Sequence, residues 1–247
     1  MRLKVTLDTQ EQWLPFTYHR YLQGMIYHAL PKDLGDFFHD EGFGKFKLFT
    51  FSELIGKYEV KDRGLVFTSP IEFYMTSISS DFLNQLYLFF LQNKYVTIGQ
   101  ASCQVVKVEA VEDIYYRDNH LYNIKTISPV TCYKTDENRF TTYFHPKSKD
   151  FEKSIQDNLK KKYIELYKEV GKEFFDIVEI KRFKELKVKY KNSVVIAYQC
   201  TLNVHVSDKY LSLMMHTGLG SKNSAGFGMI ELLRNDWSYY WKSVKRK

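Results

Sequence analysis

A chain of 247 residues, 44% hydrophobic and 26% charged, has the composition of a folded globular protein and excludes a disordered one. Lysine and arginine outnumber aspartate and glutamate by 36 to 29, and the net charge of +7 favours an acidic partner, although a lysine-rich, AT-biased genome inflates the same residues. Cys103, Cys132 and Cys200 lie far apart with no Cys-x-x-Cys pair, which excludes a disulfide framework and a structural zinc site of usual spacing. The start, MRLKVTLDTQ, has no apolar signal core and no run approaches membrane-spanning length, so a soluble cytoplasmic protein with no membrane partner is expected.

Leu3 to Leu7 alternates Leu-Lys-Val-Thr-Leu and predicts a half-buried strand. Leu22, Met25, Ile26, Ala29 and Leu30 then recur at helical spacing, and Pro31 and Gly35 interrupt them, leaving a second short turn of helix or a loop up to Phe38. Phe46 to Phe51 and Gly64 to Ser69 read as strands. Pro70 is expected to open a helix whose later part buries Phe82, Leu86, Phe89 and Phe90, and Tyr95 to Val108 returns as strand.

The same order recurs further on. Ile124 to Val130 reads as strand, and a helix from Phe151 to Val170 carries Phe151, Ile155, Leu159, Leu166 and Val170 on its apolar face. A long hairpin turns at Asn192-Ser193, with Leu186, Val188 and Tyr190 alternating with lysines before the turn. A short helix from Lys209 to His216 and a strand from Phe227 to Leu232 close the unit. The pattern predicts an α+β fold of two tandem ferredoxin-like (βαββαβ) domains, 1–110 and 124–247, joined by a linker over 111–123.

The most specific local feature is the run Gly218-Leu-Gly220-Ser-Lys-Asn-Ser-Ala-Gly226-Phe-Gly228. Its glycines supply left-handed backbone and let main-chain N–H groups approach an anion. It lacks the Gly-Lys-Ser/Thr of a Walker loop, and Asn223 stands where a dinucleotide fingerprint needs its third glycine. On glycine count alone, a tight turn between a helix and the last strand is as good a reading as phosphate binding.

This run resembles the signature loop of the repeat-associated mysterious protein (RAMP) superfamily and, within it, the CRISPR repeat-processing endoribonucleases. Two further stretches agree: Tyr21-Leu-Gln-Gly-Met-Ile-Tyr27 is similar to that family's first helix. His39-Asp-Glu-Gly-Phe43 followed by Lys47-Leu-Phe-Thr-Phe-Ser52 resembles its catalytic segment and second strand. The element order matches the family's tandem ferredoxin-like architecture over nearly the whole chain. The resemblance implies a metal-independent endoribonuclease with no cofactor, acting on CRISPR repeat RNA and carrying its catalytic residues in the N-terminal domain. It gives Gly218, Gly220, Gly226 and Gly228 a structural and RNA-contacting role at the last strand and the domain interface, with Lys222 among the RNA contacts.

Cutting RNA without a metal requires in-line attack of a 2′-hydroxyl on the adjacent phosphate, giving a 2′,3′-cyclic phosphate and a free 5′-hydroxyl. Proton transfer suits histidine, whose pKa lies near working pH; lysine suits the phosphate charge, and tyrosine a hydrogen bond to the hydroxyl. Of the seven histidines, His39 matches the family's catalytic position, with His28, beside Tyr27, the alternate. Tyr27 falls off the apolar stripe of its helix and matches the family's catalytic tyrosine. Lys47 aligns with the catalytic lysine, and Lys45, of the same parity on an extended strand, is its alternate.

RNA binding is expected from Lys181, Arg182, Lys184, Lys187, Lys189 and Lys191, the last three on one strand face. Read without the resemblance, that strand is equally an exposed sheet edge guarded by lysines. Lys160-Lys161-Lys162 reads as solvated surface. A non-catalytic RAMP-type RNA-binding subunit of a CRISPR effector complex is the competing reading, which the presence of Tyr27, His39 and Lys47 together disfavours. Other effector-complex subunits and a homodimer stay open as partners, with the repeat RNA, precursor or mature guide, as the principal one.

Overall fold

The computed structural model describes residues 1–44, 46–112, 120–191 and 193–233, with Glu41 by its backbone alone. Lys45, most of the expected linker, Asn192 of the expected turn and the basic tail Lys242 to Lys247 lie outside the described residues.

Leu3, Val5 and Leu7 are buried along β1 (Arg2–Asp8), as strand alternation requires. The short β2 (Trp13–Pro15) leads into α1 (Tyr18–His28), which buries Leu22, Met25 and Ile26, with Ala29 and Leu30 buried just past its end. Pro31 opens α2 (Lys32–Asp36), which runs straight into one π-helical turn, Phe37–Glu41. Then come β3 (Phe49–Phe51), β4 (Tyr58–Lys61), β5 (Gly64–Phe67), β6 (Ile71–Ser77), α3 (Ser80–Gln92), β7 (Tyr95–Ile98) and β8 (Ala101–Val111). The sheet order is β3-β6-β1-β8-β7, every pair antiparallel. Its first four strands are a ferredoxin-like unit, and β7 adds an edge.

Several expectations need correction here. Pro70 opens no helix: Ile71, Phe73 and Met75 alternate as buried residues of β6, and that period of two prevails over the proline. The helix starts ten residues later, where the Ser79 hydroxyl accepts from the Phe82 N–H at 3.2 Å; Phe89 on it is only half-buried. Tyr95 to Val108 is a hairpin rather than one strand, turned at Gly99 with φ 67°. Strand Gly64–Phe67 exists but pairs with β2 and β4 in a separate small sheet, and Phe46 to Leu48 stay outside β3.

The second unit contains β9 (Leu121–Thr126), a small hairpin of β10 (Tyr133–Thr135) and β11 (Thr141–Tyr143), and α4 (Lys149–Tyr167). The long pair β12 (Phe175–Tyr190) and β13 (Ser193–Val206), α5 (Asp208–Thr217), a 3₁₀ turn Asn223–Ala225 and β14 (Ile230–Leu232) complete it. The order β12-β13-β9-β14 repeats the ferredoxin-like arrangement. The strand expected over Ile124 to Val130 ends at Thr126, and Val130 forms only an isolated bridge to Tyr198. The α4 helix is stopped by Lys168 in the left-handed region, φ 57°, so Val170 lies beyond it and is 73% exposed instead of packed. Phe227 to Met229 precede the last strand, held irregular by the loop before them.

The two cores meet through β3 and the segment it touches. The Thr50 hydroxyl donates to the Phe227 carbonyl at 3.1 Å, the Glu53 N–H to the Ile127 carbonyl at 3.1 Å, and the Gln199 amide to the Glu53 carboxylate at 2.9 Å. Phe227 is fully buried with Ala225, Val195 and Ala197, while Val188 and Tyr190 pack against that cluster. Among the described residues no helix is long and apolar enough to cross a membrane.

Candidate active site

The π-helical turn decides where His39 points. Phe38 is buried against Phe49 and Phe82, anchoring the turn from below, while its neighbour His39 is pushed out with 69% of its side chain exposed. Gly42 (φ 59°) ends the turn and donates its N–H to Phe37, so the chain reverses towards Lys47. Lys47 reaches back and donates from Nζ to the His39 carbonyl. From α1, the Tyr27 ring meets the His39 ring edge to face, centroids 5.4 Å apart at 77°.

Tyr27, His39 and Lys47 therefore converge from three separate stretches of sequence. His28 is exposed at the end of α1, and no hydrogen bond or ring contact among the described residues joins it to the other three. The alternate Lys45 lies outside the described residues.

The surroundings set the protonation states. Burial pushes the Tyr27 hydroxyl up to about 12; nearby Tyr190 and Asp40 add to this, and the Ser224 side chain opposes it. Tyr27 is thus a phenol at neutral pH, a hydrogen-bond donor and not a phenolate base. Partial burial lowers the Lys47 ammonium and the Asp40 carboxylate raises it, the first effect being the larger. Asp40 also accepts from His39 Nδ1 at 2.5 Å, which fixes the rotation of the ring.

Sequence reasoning missed Asp40, whose adjacency to His39 was visible but reads as ordinary surface. It also missed the groups that reach the site from the second unit. The Gln23 amide, one turn before Tyr27, donates to the Ser224 carbonyl at 2.7 Å and accepts from the Tyr190 hydroxyl at 2.6 Å. No local signal marks those pairs, because they join residues 201 and 167 positions apart.

The glycine-rich loop is a structural device first. Gly218, Gly220, Gly226 and Gly228 all take positive φ. At Gly226, φ 84°, a Cβ would run into the Phe51 ring. Many of its main-chain N–H groups are spent internally: Leu219 donates to Gly228, Ser221 to Thr131, Ala225 to Lys222, Gly226 to Asn223 and Gly228 to Pro129. Those donors face carbonyls of the protein, which counts against the anion nest that glycine content suggested. Lys222 lies over the Tyr133 ring, 5.1 Å from its centroid.

Lys162 overturns one reading outright. Only 2% exposed, it is core and not solvated surface. Its Nζ donates to the Thr217 carbonyl at 3.2 Å, the Gly218 carbonyl at 2.8 Å and Asn223 Oδ1 at 2.8 Å. The signal was present, since residues 155, 159 and 162 share one helical stripe.

The six basic residues of the hairpin are divided. Arg182 pairs with Thr201 and Lys184 with Gln199, and these residues line a cleft of about 660 Å³ with Glu53, Lys125 and Thr126. Burial raises the Glu53 carboxyl, against the smaller opposing effects of the Gln199 amide and Lys184. Lys187 and Lys189 lie opposite Ile196 and Val194 on the other face and are exposed. Lys191 leaves the strand in the turn, φ 52°, over its neighbour Tyr190, so alternation does not align all three. Lys181 donates to Asn123 at 2.6 Å.

Residues 107–232 match the family model described as CRISPR associated protein Cas6, C-terminal, and residues 13–109 that of CRISPR-associated protein Cas6, N-terminal. The chain is 27% identical over 240 residues to CRISPR-associated endoribonuclease Cas6 1 of Methanocaldococcus jannaschii, covering 93% of this chain and 92% of that protein. It is 25% identical over 231 residues to CRISPR-associated endoribonuclease Cas6 of Pyrococcus furiosus, covering 90% and 84%. A solved structure titled as a RAMP protein binding different RNA substrates superposes with a TM-score of 0.82 at 21% identity, over 95% of this chain and 100% of that one.

Proposed function

The chain belongs to the Cas6 family of CRISPR-associated proteins, and from that premise we propose that it is an endoribonuclease cutting CRISPR repeat RNA without a metal. The observation that carries the mechanism is the convergence of Tyr27, His39 and Lys47 on one exposed face. In our reading the 2′-oxygen forms a bond to the adjacent phosphorus and the bond to the 5′-oxygen breaks. The 2′-hydroxyl proton passes to a solvent water, and His39 delivers a proton to the departing 5′-oxygen and regains one from solvent afterwards. The products are a 2′,3′-cyclic phosphate and a 5′-hydroxyl.

His39 is assigned to proton transfer, with Asp40 holding its ring. Tyr27, a phenol whose hydroxyl is raised by burial, donates a hydrogen bond that orients the 2′-hydroxyl. The Lys47 ammonium sits where negative charge on phosphorus builds up. Lys187 and Lys189 supply an exposed basic track for phosphates, and Lys222, Gly220 and the neighbouring loop a second contact. The three reacting groups of this reading all come from one chain. In this reading each of the two larger sheets belongs to one domain, and the expected linker over 111–123 overlaps the end of β8 at Val111 and the start of β9 at Leu121.

Purified protein incubated with repeat RNA in excess EDTA, followed by end-group analysis, tests the proposal. Expected are cutting in EDTA, a cyclic phosphate end, and no cutting of RNA with a single 2′-deoxy at the scissile position. Strict dependence on magnesium would overturn the mechanism and leave the fold untouched.

A further inference from the structure

We propose that Lys162 is a positioning residue for RNA cutting: through Asn223 it fixes the glycine-rich loop so that Ser224 seats on α1 at Gln23 and Tyr27. The inference rests on the reading of Tyr27 as part of the reacting set.

A lysine 2% exposed in the middle of a helix is expensive, because its ammonium loses its water. Burial pushes Lys162 down to about 7. Evolution of a plain core would place leucine or methionine there, on the stripe of Ile155 and Leu159. What the lysine gains is three acceptors. Two are the carbonyls of Thr217 and Gly218 at the C-terminal end of α5, where the helix dipole favours a cation. The third is Asn223 Oδ1 at 2.8 Å.

Asn223 is the hub of the loop. With its Oδ1 held by Lys162, its amide nitrogen faces the Leu219 and Phe227 carbonyls, donating at 3.1 and 3.0 Å. The two ends of the loop are thereby tied together, and the orientation of the Asn223 amide is dictated by the lysine. Ser224 is the next residue. Its carbonyl accepts from Gln23 at 2.7 Å, and its side chain is close enough to the Tyr27 hydroxyl to alter its acidity. The helix bearing Lys162 touches the other wall of the site as well: a Cβ at Gly44, in the loop between His39 and Lys47, would meet the Glu165 carboxylate. α4 thus braces both the glycine-rich loop and the loop that carries the catalytic segment.

The test uses full-length Lys162→Met, which keeps the packed stem and deletes the cation and its donors. Single-turnover cutting at saturating protein is expected to fall about ten- to a hundred-fold, as for a displacement on the order of 1 Å at a reacting group. Repeat affinity is expected to fall by less than the cutting rate, since the loop contact is disturbed but the Lys187 and Lys189 track is untouched. Ser224→Ala supplies the other end of the path. If Lys162 acts through the loop, the double variant cuts no more slowly than the slower single variant, whereas independent roles multiply.

A second readout needs no RNA. The ¹³Cζ resonance of Tyr27, assigned by its loss in Tyr27→Phe, is expected to shift in Lys162→Met and to shift in the same direction in Ser224→Ala. Cutting at the wild-type rate by folded Lys162→Met, or an unmoved Tyr27 resonance, overturns the proposal. If Lys162→Met does not hold its fold, Asn223→Ala removes the same link from the loop side and is judged by the same two readouts. A wild-type protein that fails to cut while its Tyr27 resonance follows Lys162 would sink the nuclease reading and spare the bracing.

Discussion

Tyr27 and His39 meet ring to ring in a T-shaped contact, one from α1 and the other from a π-helical turn, with Lys47 holding the His39 carbonyl from below. The contact orders an otherwise exposed imidazole without burying it, leaving the ring free to reach a substrate oxygen. Asp40 on Nδ1 fixes the rotation of the ring.

His39→Ala is therefore expected to slow single-turnover cutting by roughly a hundred- to ten-thousand-fold, the usual contribution of a general acid or base, with repeat affinity within a few-fold. Asp40→Asn should cost less, because it loosens the hold on the ring without removing the imidazole. A dead His28→Ala beside an active His39→Ala would transfer the role to the end of α1.

How far the sequence carried depends on the range of the interaction. The α1 stripe, the β1 alternation and the lysine-flanked hairpin are local patterns, and each formed its element. Tyr27, His39 and Lys47 were found by resemblance in two motifs, and their meeting is a tertiary fact. Gln23, Tyr190 and Ser224 belong to the same site but are brought together by docking of the second unit, which no window of sequence registers. Lys162 was misread for a different reason. Its charge argues for the surface and its place on the stripe of Ile155 and Leu159 for the core, and the acceptors that decide between them lie on a loop far along the chain. At Pro70 the opposite holds: the proline is a helix-start signal, and the alternation of Ile71, Phe73 and Met75 overrides it.

Gly226 should be among the least replaceable positions in the glycine-rich loop. Its φ of 84° disfavours any side chain, and a Cβ there collides with the Phe51 ring at the junction of the two units. Gly226→Ala is expected to lose roughly 1–3 kcal/mol of unfolding free energy, measured by urea denaturation. Gly24→Ala is the matched control. It lies inside α1 with open space around it, so the same substitution should be neutral or stabilising by about 0.5–1 kcal/mol. Equal effects at both positions would remove the steric account.

His19 makes the same junction sensitive to acid. It is buried between Tyr18, Phe51 and Phe227, both ring nitrogens lack a hydrogen-bond partner among the described residues, and burial lowers its pKa from 6.5 to about 4. Between those two values the unfolded chain binds a proton that the folded chain does not. Stability from this residue is thus complete above about pH 6.5 and falls as pH drops towards 4, by about 3 kcal/mol in all. His19→Phe keeps the aromatic contacts and cannot titrate. The difference in urea stability between wild type and His19→Phe should therefore change steadily from pH 7 to 4.5; a flat difference would show that His19 is hydrated or partnered in solution.

The last expectation concerns where the RNA runs. Lys187 and Lys189 are exposed on one face of the β12–β13 hairpin and Lys191 stands at its tip, whereas Arg182 and Lys184 open onto the cleft beside Glu53. Each phosphate neutralised by a lysine releases counterions, so replacing Lys187, Lys189 and Lys191 with Ala should weaken repeat binding and flatten its log–log salt dependence. The slope should change by up to about 0.7–0.9 per lost contact, the lower figure applying to single strands. Saturating protein should restore near-normal single-turnover cutting, because Tyr27, His39 and Lys47 lie in the first unit. Arg182→Ala with Lys184→Ala is the companion measurement on the opposite face. If that pair alone shifts the slope, the phosphates run through the cleft, and the tip lysines only guard a solvated strand edge.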